Sequence, residues 1–216
     1  MLLILLKLFN KDKKRSLIYA IISLLLRFRF IIMIEKKSSN SIKRLHPRNK
    51  NVDRYDLEAL KKIEPELKNY LKITPLEGET FDFSQPQAVK LLNKALLPYY
   101  YEVDYWDFSD KHLCPPIPCR ADYVHYIADL LSESCDSSIP TGPTIKGLDI
   151  GTGGTCIYPI LGATEYNWDF VGVDVHLPSL ESAQNIVNKN PKLQDKITCR
   201  LQKDPQHIYR CYKPRR

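Results

Sequence analysis

The sequence predicts an α/β fold: a parallel sheet that carries a glycine loop, preceded by a mainly helical segment. Three observations point to it. Residues 145–150 form a short apolar run, bounded by turn formers and followed at once by Gly151, Gly153 and Gly154. A second apolar run, Trp168-Asp-Phe-Val-Gly-Val-Asp174, ends on an acid. A third, residues 197–201, follows a stretch of helical periodicity. Short apolar runs separated by amphipathic stretches read as buried parallel strands joined by crossover helices. The strands are expected near 146–150, 169–173 and 197–201, all parallel, in the spatial order third, second, first.

Residues 1–32 stand apart in composition. Lys7, Lys11, Lys13, Lys14, Arg15, Arg27 and Arg29 face one acid, Asp12, so this segment holds +6 of the net charge of +7. The remainder is close to neutral, and bulk charge is no argument for a nucleic-acid partner. The apolar stretches 1–9 and 17–26 fall short of the roughly 18–20 residues that span a bilayer. No small-residue cleavage site follows them. The expectation is that 1–32 is no part of the functional fold, with Met33 as the natural start. A signal anchor is the alternative; no membrane partner is expected. With 44% hydrophobic residues, the chain can bury a core. Its organisation reads as 1–32, a helical module over 33–118, and the sheet over 119–216.

Residues 35–54 are basic and polar, with Lys36, Lys37, Lys43, Arg44, Arg48, Lys50 and Arg54 around Leu45-His-Pro-Arg-Asn-Lys-Asn51. They read as a basic arm able to lie along phosphates, or as a solvated tail. Leu57, Leu60, Ile63 and Leu67 then recur at helical spacing until Pro65 interrupts them. Residues 71–83 are extended, with Glu77-Gly78 as the turn. Ser84 as N-cap and Pro86 in the first turn open a helix over 88–97. Tyr99-Tyr-Tyr101 and Tyr105-Trp106 read as core or as a base-stacking surface. The prolines of Leu113-Cys-Pro-Pro-Ile-Pro118 exclude helix and central strand there. A helix over 120–131 follows, with Tyr123, Ile127, Leu130 and Leu131 inward. Arg120 at its start opposes the helix dipole and so calls for an anionic partner.

A strand, a glycine turn and a helix start over 156–161 make a nucleotide-type site. The Gly-x-Gly-Gly spacing departs from the Gly-x-Gly-x-x-Gly of dinucleotide enzymes, which argues against a nicotinamide-dependent oxidoreductase. Asp149 completes the pattern Asp-x-Gly-x-Gly found in S-adenosylmethionine-dependent methyltransferases. Asp174, at the tip of the second strand, is placed to accept both hydroxyls of a ribose. The plainer alternative is a glycine-rich turn beside a solvated acid. A helix over 179–189, with Leu180, Ala183, Ile186 and Val187 inward, leads to the third strand. The six cysteines form no Cys-x-x-Cys pair. They read as reduced thiols of a cytosolic protein, and no metal site is expected.

From about residue 45 to 209 the chain resembles the bacterial large-subunit (23S) ribosomal RNA adenine-N6 methyltransferase F family, whose animal relative acts on spliceosomal U6 RNA. The matching strings are Leu45-His-Pro-Arg-Asn49, Arg54-Tyr-Asp56, Leu113-Cys-Pro-Pro-Ile-Pro118, Arg120-Ala-Asp-Tyr123, Leu148-Asp-Ile-Gly-Thr-Gly153 and Cys156-Ile-Tyr-Pro159. The resemblance implies a Rossmann-like class I methyltransferase sheet behind an RNA-binding module. It implies methyl transfer from S-adenosyl-L-methionine to the exocyclic amine of one adenine in large-subunit rRNA. By motif, Arg120 would meet the cofactor carboxylate, Asp149, Gly151, Gly153 and Thr155 would line the cofactor, and Asp174 would hold its ribose. Lys43, Arg44, His46, Arg48, Asn49, Lys50 and Arg54 would face RNA. No protein partner is implied.

The family performs its chemistry with an Asn-Pro-Pro-Phe tetrapeptide, whose Asn and Pro hold the adenine amine and whose Phe stacks on the ring. None occurs here; the sole Asn-Pro is Asn190-Pro191. The expectation is a C-terminally truncated member that does not methylate as it stands. The alternative is an inactive remnant that binds RNA or cofactor only.

Overall fold

The computed structural model describes residues 3–8, 45–75, 78–133 and 138–203. Expectations for Lys43 and Arg44, for the Glu77 turn position and for residues beyond 203 lie outside these. Among the described residues no helix is long and apolar enough to cross a membrane.

The helical module begins with α1 (Leu57–Ile63). Asp56 caps it by accepting from the Ala59 N–H at 3.0 Å, which satisfies one of the free donors of the first turn. Pro65 stops α1 and opens a 3-10 turn over Pro65–Tyr70. A hairpin of β2 (Leu71–Thr74) and β3 (Gly78–Phe81) follows. Next, α2 spans Pro86–Tyr101 and passes through Pro98, so the three tyrosines form its last turn. Ser84 is not its cap. The helix opens at Pro86, so Gln85 takes the cap position, without a side-chain cap bond, and the Ser84 N–H and hydroxyl both donate to Asp82 in a local turn. Tyr101 and Trp106 are buried, while Tyr99 is 40% exposed.

Helix α3 runs over Ile117–Ser132. Pro115 and Pro116 lie before it, but Pro118 sits in its first turn, where no N–H is needed. The exclusion of helix over 113–118 is therefore corrected for its last two residues.

The sheet contains β4 (Ile145–Ile150), β5 (Asp169–Asp174) and β6 (Ile197–Leu201), mutually parallel with β5 central among them. This is the expected order. The crossovers are α4 (Ile157–Tyr166), α5 (Leu177–Asn188) and a short α6 (Pro191–Gln194). Phe170 seats α4 close to the sheet, because a Cβ on Gly147 or Gly162 would stand 2.2 or 2.5 Å from its ring. Ile145, Phe170, Ile197 and Cys199 join one large core with α2, α3, α4 and α5. Leu148 and Val173 form a small separate cluster, as alternation along a strand requires.

One strand was not expected. β1 (Leu3–Leu8) lies antiparallel against β4, with Leu3 opposite Ile150 and Leu8 opposite Ile145. Part of the 1–32 segment thus joins the sheet. Without it, β4 would present a row of unpaired backbone groups among the described strands.

Candidate functional site

At the end of β4 the chain turns sharply back. Gly151 (φ +74°) and Gly153 (φ +66°) take the left-handed conformation, which a Cβ disfavours. Crowding is not their reason: a Cβ at either would meet nothing within 4 Å, so the outer face of the loop is open. Gly154 differs, since a Cβ there would stand 2.7 Å from the His112 ring.

The loop is fastened to β5. The Gly151 and Thr152 N–H groups donate to the Val173 carbonyl at 2.8 and 2.9 Å. The Gly153 N–H donates to one Asp174 oxygen at 2.9 Å, and the His176 N–H donates to the other at 2.9 Å. An ionised carboxylate has acceptor capacity beyond one bond per oxygen. Asp174 can therefore hold the loop and still accept from a ligand hydroxyl. The buried Thr155 fixes the far side, where its carbonyl accepts from the Trp106 indole N–H at 2.9 Å.

Asp149 lies beneath the loop, fully buried, with neither carboxylate oxygen hydrogen-bonded. Burial pushes its acid up to about 7, the Asp174 charge pushes the same way, and the nearby Thr152 hydroxyl tempers it without a well-aligned bond. Desolvation disfavours the charged form of a carboxyl. Asp149 is thus a buried carboxyl poised between its neutral and ionised forms near neutral pH, with both oxygens unpartnered.

Arg120, in the first turn of α3, forms no ion pair with an acid among the described residues. Its guanidinium instead lies over the Tyr158 ring, 5.6 Å from the centroid. Tyr123 packs edge-on against Tyr158 at 5.3 Å. Burial raises the Tyr158 phenol, against the pull of Arg120, and the Asp149 charge also reaches it. One neighbourhood therefore contains Arg120, Tyr123, Tyr158 and Asp149. The two tyrosines were missed as site residues, although both stand inside motifs already singled out.

The described part of the basic stretch, residues 45–54, is not a free arm. His46 is 5% exposed and its ring meets Asp129 at 2.9 Å, while its N–H donates to Asp122. Arg48 donates to Asp129 at 2.7 Å, to the His125 carbonyl and to the Tyr166 hydroxyl. Asn49, 3% exposed, donates to Asp122 and to the Pro118 carbonyl. Lys50 pairs with Glu165 at 3.0 Å, and Arg54 donates to the Glu79 carbonyl. For His46 and Asn49 the RNA-facing expectation is corrected: buried side chains spent on α3 cannot lie along phosphates. Beside them His125 is buried with its Nε2 unpartnered, and burial with the nearby His46 and Arg48 lowers it to about 4.

Comparison with known proteins follows the same lines. A family model described as "RNA methyltransferase" matches residues 39–215. Ribosomal RNA large subunit methyltransferase F of Flavobacterium johnsoniae is 50% identical, over 81% of this chain and 56% of that protein. The protein of the same name from Pseudomonas aeruginosa is 47% identical, over 81% of this chain and 51% of its own length. The chain thus spans about half the length of these bacterial relatives. Among solved structures, a METTL16 methyltransferase domain superimposes with TM-score 0.66 at 29% identity, covering 80% of this chain and 66% of that one. The N-terminal domain of human METTL16 in complex with SAH gives TM-score 0.60 at 29% identity, over 74% and 60% of the two chains. The human METTL16 catalytic domain in complex with a MAT2A 3′UTR hairpin gives TM-score 0.61 at 30% identity, over 75% and 53%.

Proposed function

Because this chain belongs to the RNA methyltransferase family that it matches over residues 39–215, we propose that it binds S-adenosyl-L-methionine at the β4–β5 loop and serves methyl transfer to adenine N6 of large-subunit ribosomal RNA in the cytoplasm. The observation that carries the cofactor reading is the loop itself. Gly151 and Gly153 leave an open backbone surface, and Asp174 stands beside it at the strand tip.

The residues present fit the group. Asp174 offers acceptors suited to ribose hydroxyls. Arg120 lacks an acidic partner among the described residues and suits the carboxylate end. The unpartnered oxygens of Asp149 suit a ligand that carries positive charge, which would favour the ionised form that burial alone disfavours. The cofactor's sulfonium supplies the methyl group.

For RNA we propose Lys43, Arg44 and the solvent-facing parts of Arg48, Lys50 and Arg54. Arg48 and Lys50 side chains are 36% and 40% exposed, enough to meet phosphates without leaving their partners. Relatives named for rRNA methylation and a neighbour solved with an RNA hairpin support an RNA substrate; adenine N6 rests on the family resemblance. The resemblance assigns the adenine-holding step to Asn-Pro-Pro-Phe, which is not among these residues. We therefore expect the transfer to need sequence beyond them.

The test has two arms. Calorimetry of the 216-residue chain with S-adenosylhomocysteine checks the cofactor site, and absence of binding overturns it. Labelled S-adenosylmethionine with unmodified large-subunit RNA then compares this chain with one extended through an in-register Asn-Pro-Pro-Phe. Label in adenine with the extended chain alone is the expected result.

A further inference from the structure

The carboxylate role of Arg120 rests on the reading just given. Beyond it, we infer that Tyr158 is a positioning residue: it holds the Arg120 guanidinium in the orientation that receives the carboxylate of the cofactor's amino-acid end, and so makes the site selective for ligands that carry that end.

Arg120 sits where a cation gains least from its own helix. It is in the first turn of α3 (Ile117–Ser132), beside the positive end of the macrodipole. Arginine side chains are long, and a free one samples many rotamers, so ordering it costs free energy at the moment of binding. The usual device for ordering it, an acid within reach, is absent among the described residues. An aromatic face takes its place: the guanidinium lies 5.6 Å from the centroid of Tyr158. A guanidinium held by an aromatic side chain carries no carboxylate of the protein on the edge that a ligand carboxylate needs, whereas a salt bridge would occupy it.

The ring is itself held. Tyr158 belongs to the first turn of α4 (Ile157–Tyr166), which starts directly from the glycine loop through Cys156 at φ +52°. Tyr123, one turn along α3 from Arg120, packs edge-on against the ring at 5.3 Å with an interplanar angle of 72°. The stack therefore ties the helix that carries Arg120 to the helix that begins at the loop. The Asp149 charge raises both phenols, so an acid as well as the Arg120 cation acts on this aromatic pair. A ligand with an ammonium and a carboxylate on one carbon matches that polarity.

The experiment measures binding of two probes to the full chain by calorimetry. S-adenosylhomocysteine carries the amino-acid end; 5′-methylthioadenosine keeps the nucleoside and lacks it. Tyr158→Leu is expected to weaken S-adenosylhomocysteine by about three- to thirtyfold, the span of a desolvated cation–π contact, and to leave 5′-methylthioadenosine unchanged. Tyr158→Phe keeps the ring face and should stay within about threefold of wild type. In an Arg120→Ala background, Tyr158→Leu should add nothing. Equal weakening of both probes by Tyr158→Leu, or no weakening of either, overturns the positioning role. If Arg120→Ala leaves S-adenosylhomocysteine affinity unchanged, the carboxylate reading falls and this inference with it. If Arg120→Ala weakens it and Tyr158→Leu does not, only the inference falls. Should Tyr158→Leu fail to fold, the Arg120 Hε resonance of the wild type decides. A ring-current shift with slowed exchange supports the stack, and a random-coil position overturns it.

Discussion

The Gly153 backbone N–H donates to the Asp174 carboxylate at 2.9 Å. The acid at the tip of β5 thus sets the shape of the loop that leaves β4, and the two halves of the proposed cofactor site are one unit. Substitution of Asp174 acts twice: it removes an acceptor from the ligand and a clasp from the loop. Asp174→Ala is expected to weaken S-adenosylhomocysteine by about tenfold or more, since a hydrogen bond to a charged acceptor contributes about 1.5–3 kcal/mol. Asp174→Asn keeps one acceptor oxygen and should lose less. Calorimetry that returns an unchanged affinity for Asp174→Ala removes the residue from the site.

Asn49 should act on stability and not on RNA. Its side chain donates to Asp122 and the Pro118 carbonyl, and its Oδ1 accepts from the Asn51 N–H and Nδ2. Asn49→Ala leaves buried groups without partners, a loss of about 1–3 kcal/mol for each left stranded. The melting temperature should fall well beyond the scatter seen for surface changes. RNA affinity, measured by fluorescence anisotropy below the melt, should be that of the wild type. A variant with an unchanged melt and lost RNA binding would return Asn49 to the RNA-facing group.

What could be read from the residues, and what could not, divides by distance along the chain. The loop was readable because its cause is local: Gly151 and Gly153 need positive φ, Asp149 is the penultimate residue of one apolar run, and Asp174 ends the next. Arg48 was not, because its partner Asp129 lies 81 residues away. A charge run displays cations and hides whichever acids will meet them. Tyr158 was quoted as part of a motif, yet its service to Arg120 appears only once α3 and α4 pack together. Ser84 is not the cap because the helix opens at Pro86, which gives the cap position to Gln85, and Ser84 turns its N–H and hydroxyl back to Asp82 instead. Leu3–Leu8 looked detachable because neither its length nor its composition names a partner, and its neighbour β4 is far along the chain.

Asp149 should make stability depend on pH. Its ordinary value is 3.8 and burial raises it to about 7 in the folded chain. An acid raised on folding binds its proton more tightly in the native state. Its stabilising contribution is therefore complete below the unfolded value and is lost as pH rises through the folded one. Asp149→Asn cannot ionise and lacks this dependence. Urea unfolding at about pH 5 and about pH 8 should show the wild type losing stability relative to Asp149→Asn across the interval. Parallel pH profiles for the two proteins would mean that Asp149 ionises normally despite its burial.

Gly154 and His112 give the most direct check on the loop's outer wall. A Cβ on Gly154 would stand 2.7 to 2.9 Å from three atoms of the His112 ring. Real contacts are not that short, so the ring or the loop must move. The ring atoms involved lie near its attachment and not at a free tip, so a small rotation does not clear them. Gly154 has no positive φ among the glycines that do, so its backbone suits alanine and the collision is the whole effect. Gly154→Ala alone should therefore destabilise by about 1–3 kcal/mol, as an extra methyl does in a packed site. His112→Ala removes the obstacle, so the pair should be strongly non-additive, with Gly154→Ala costing little in the His112→Ala background. The four proteins of this cycle are compared by urea unfolding. An additive pair would show that the ring does not sit against the loop, and that Gly154 serves some other need.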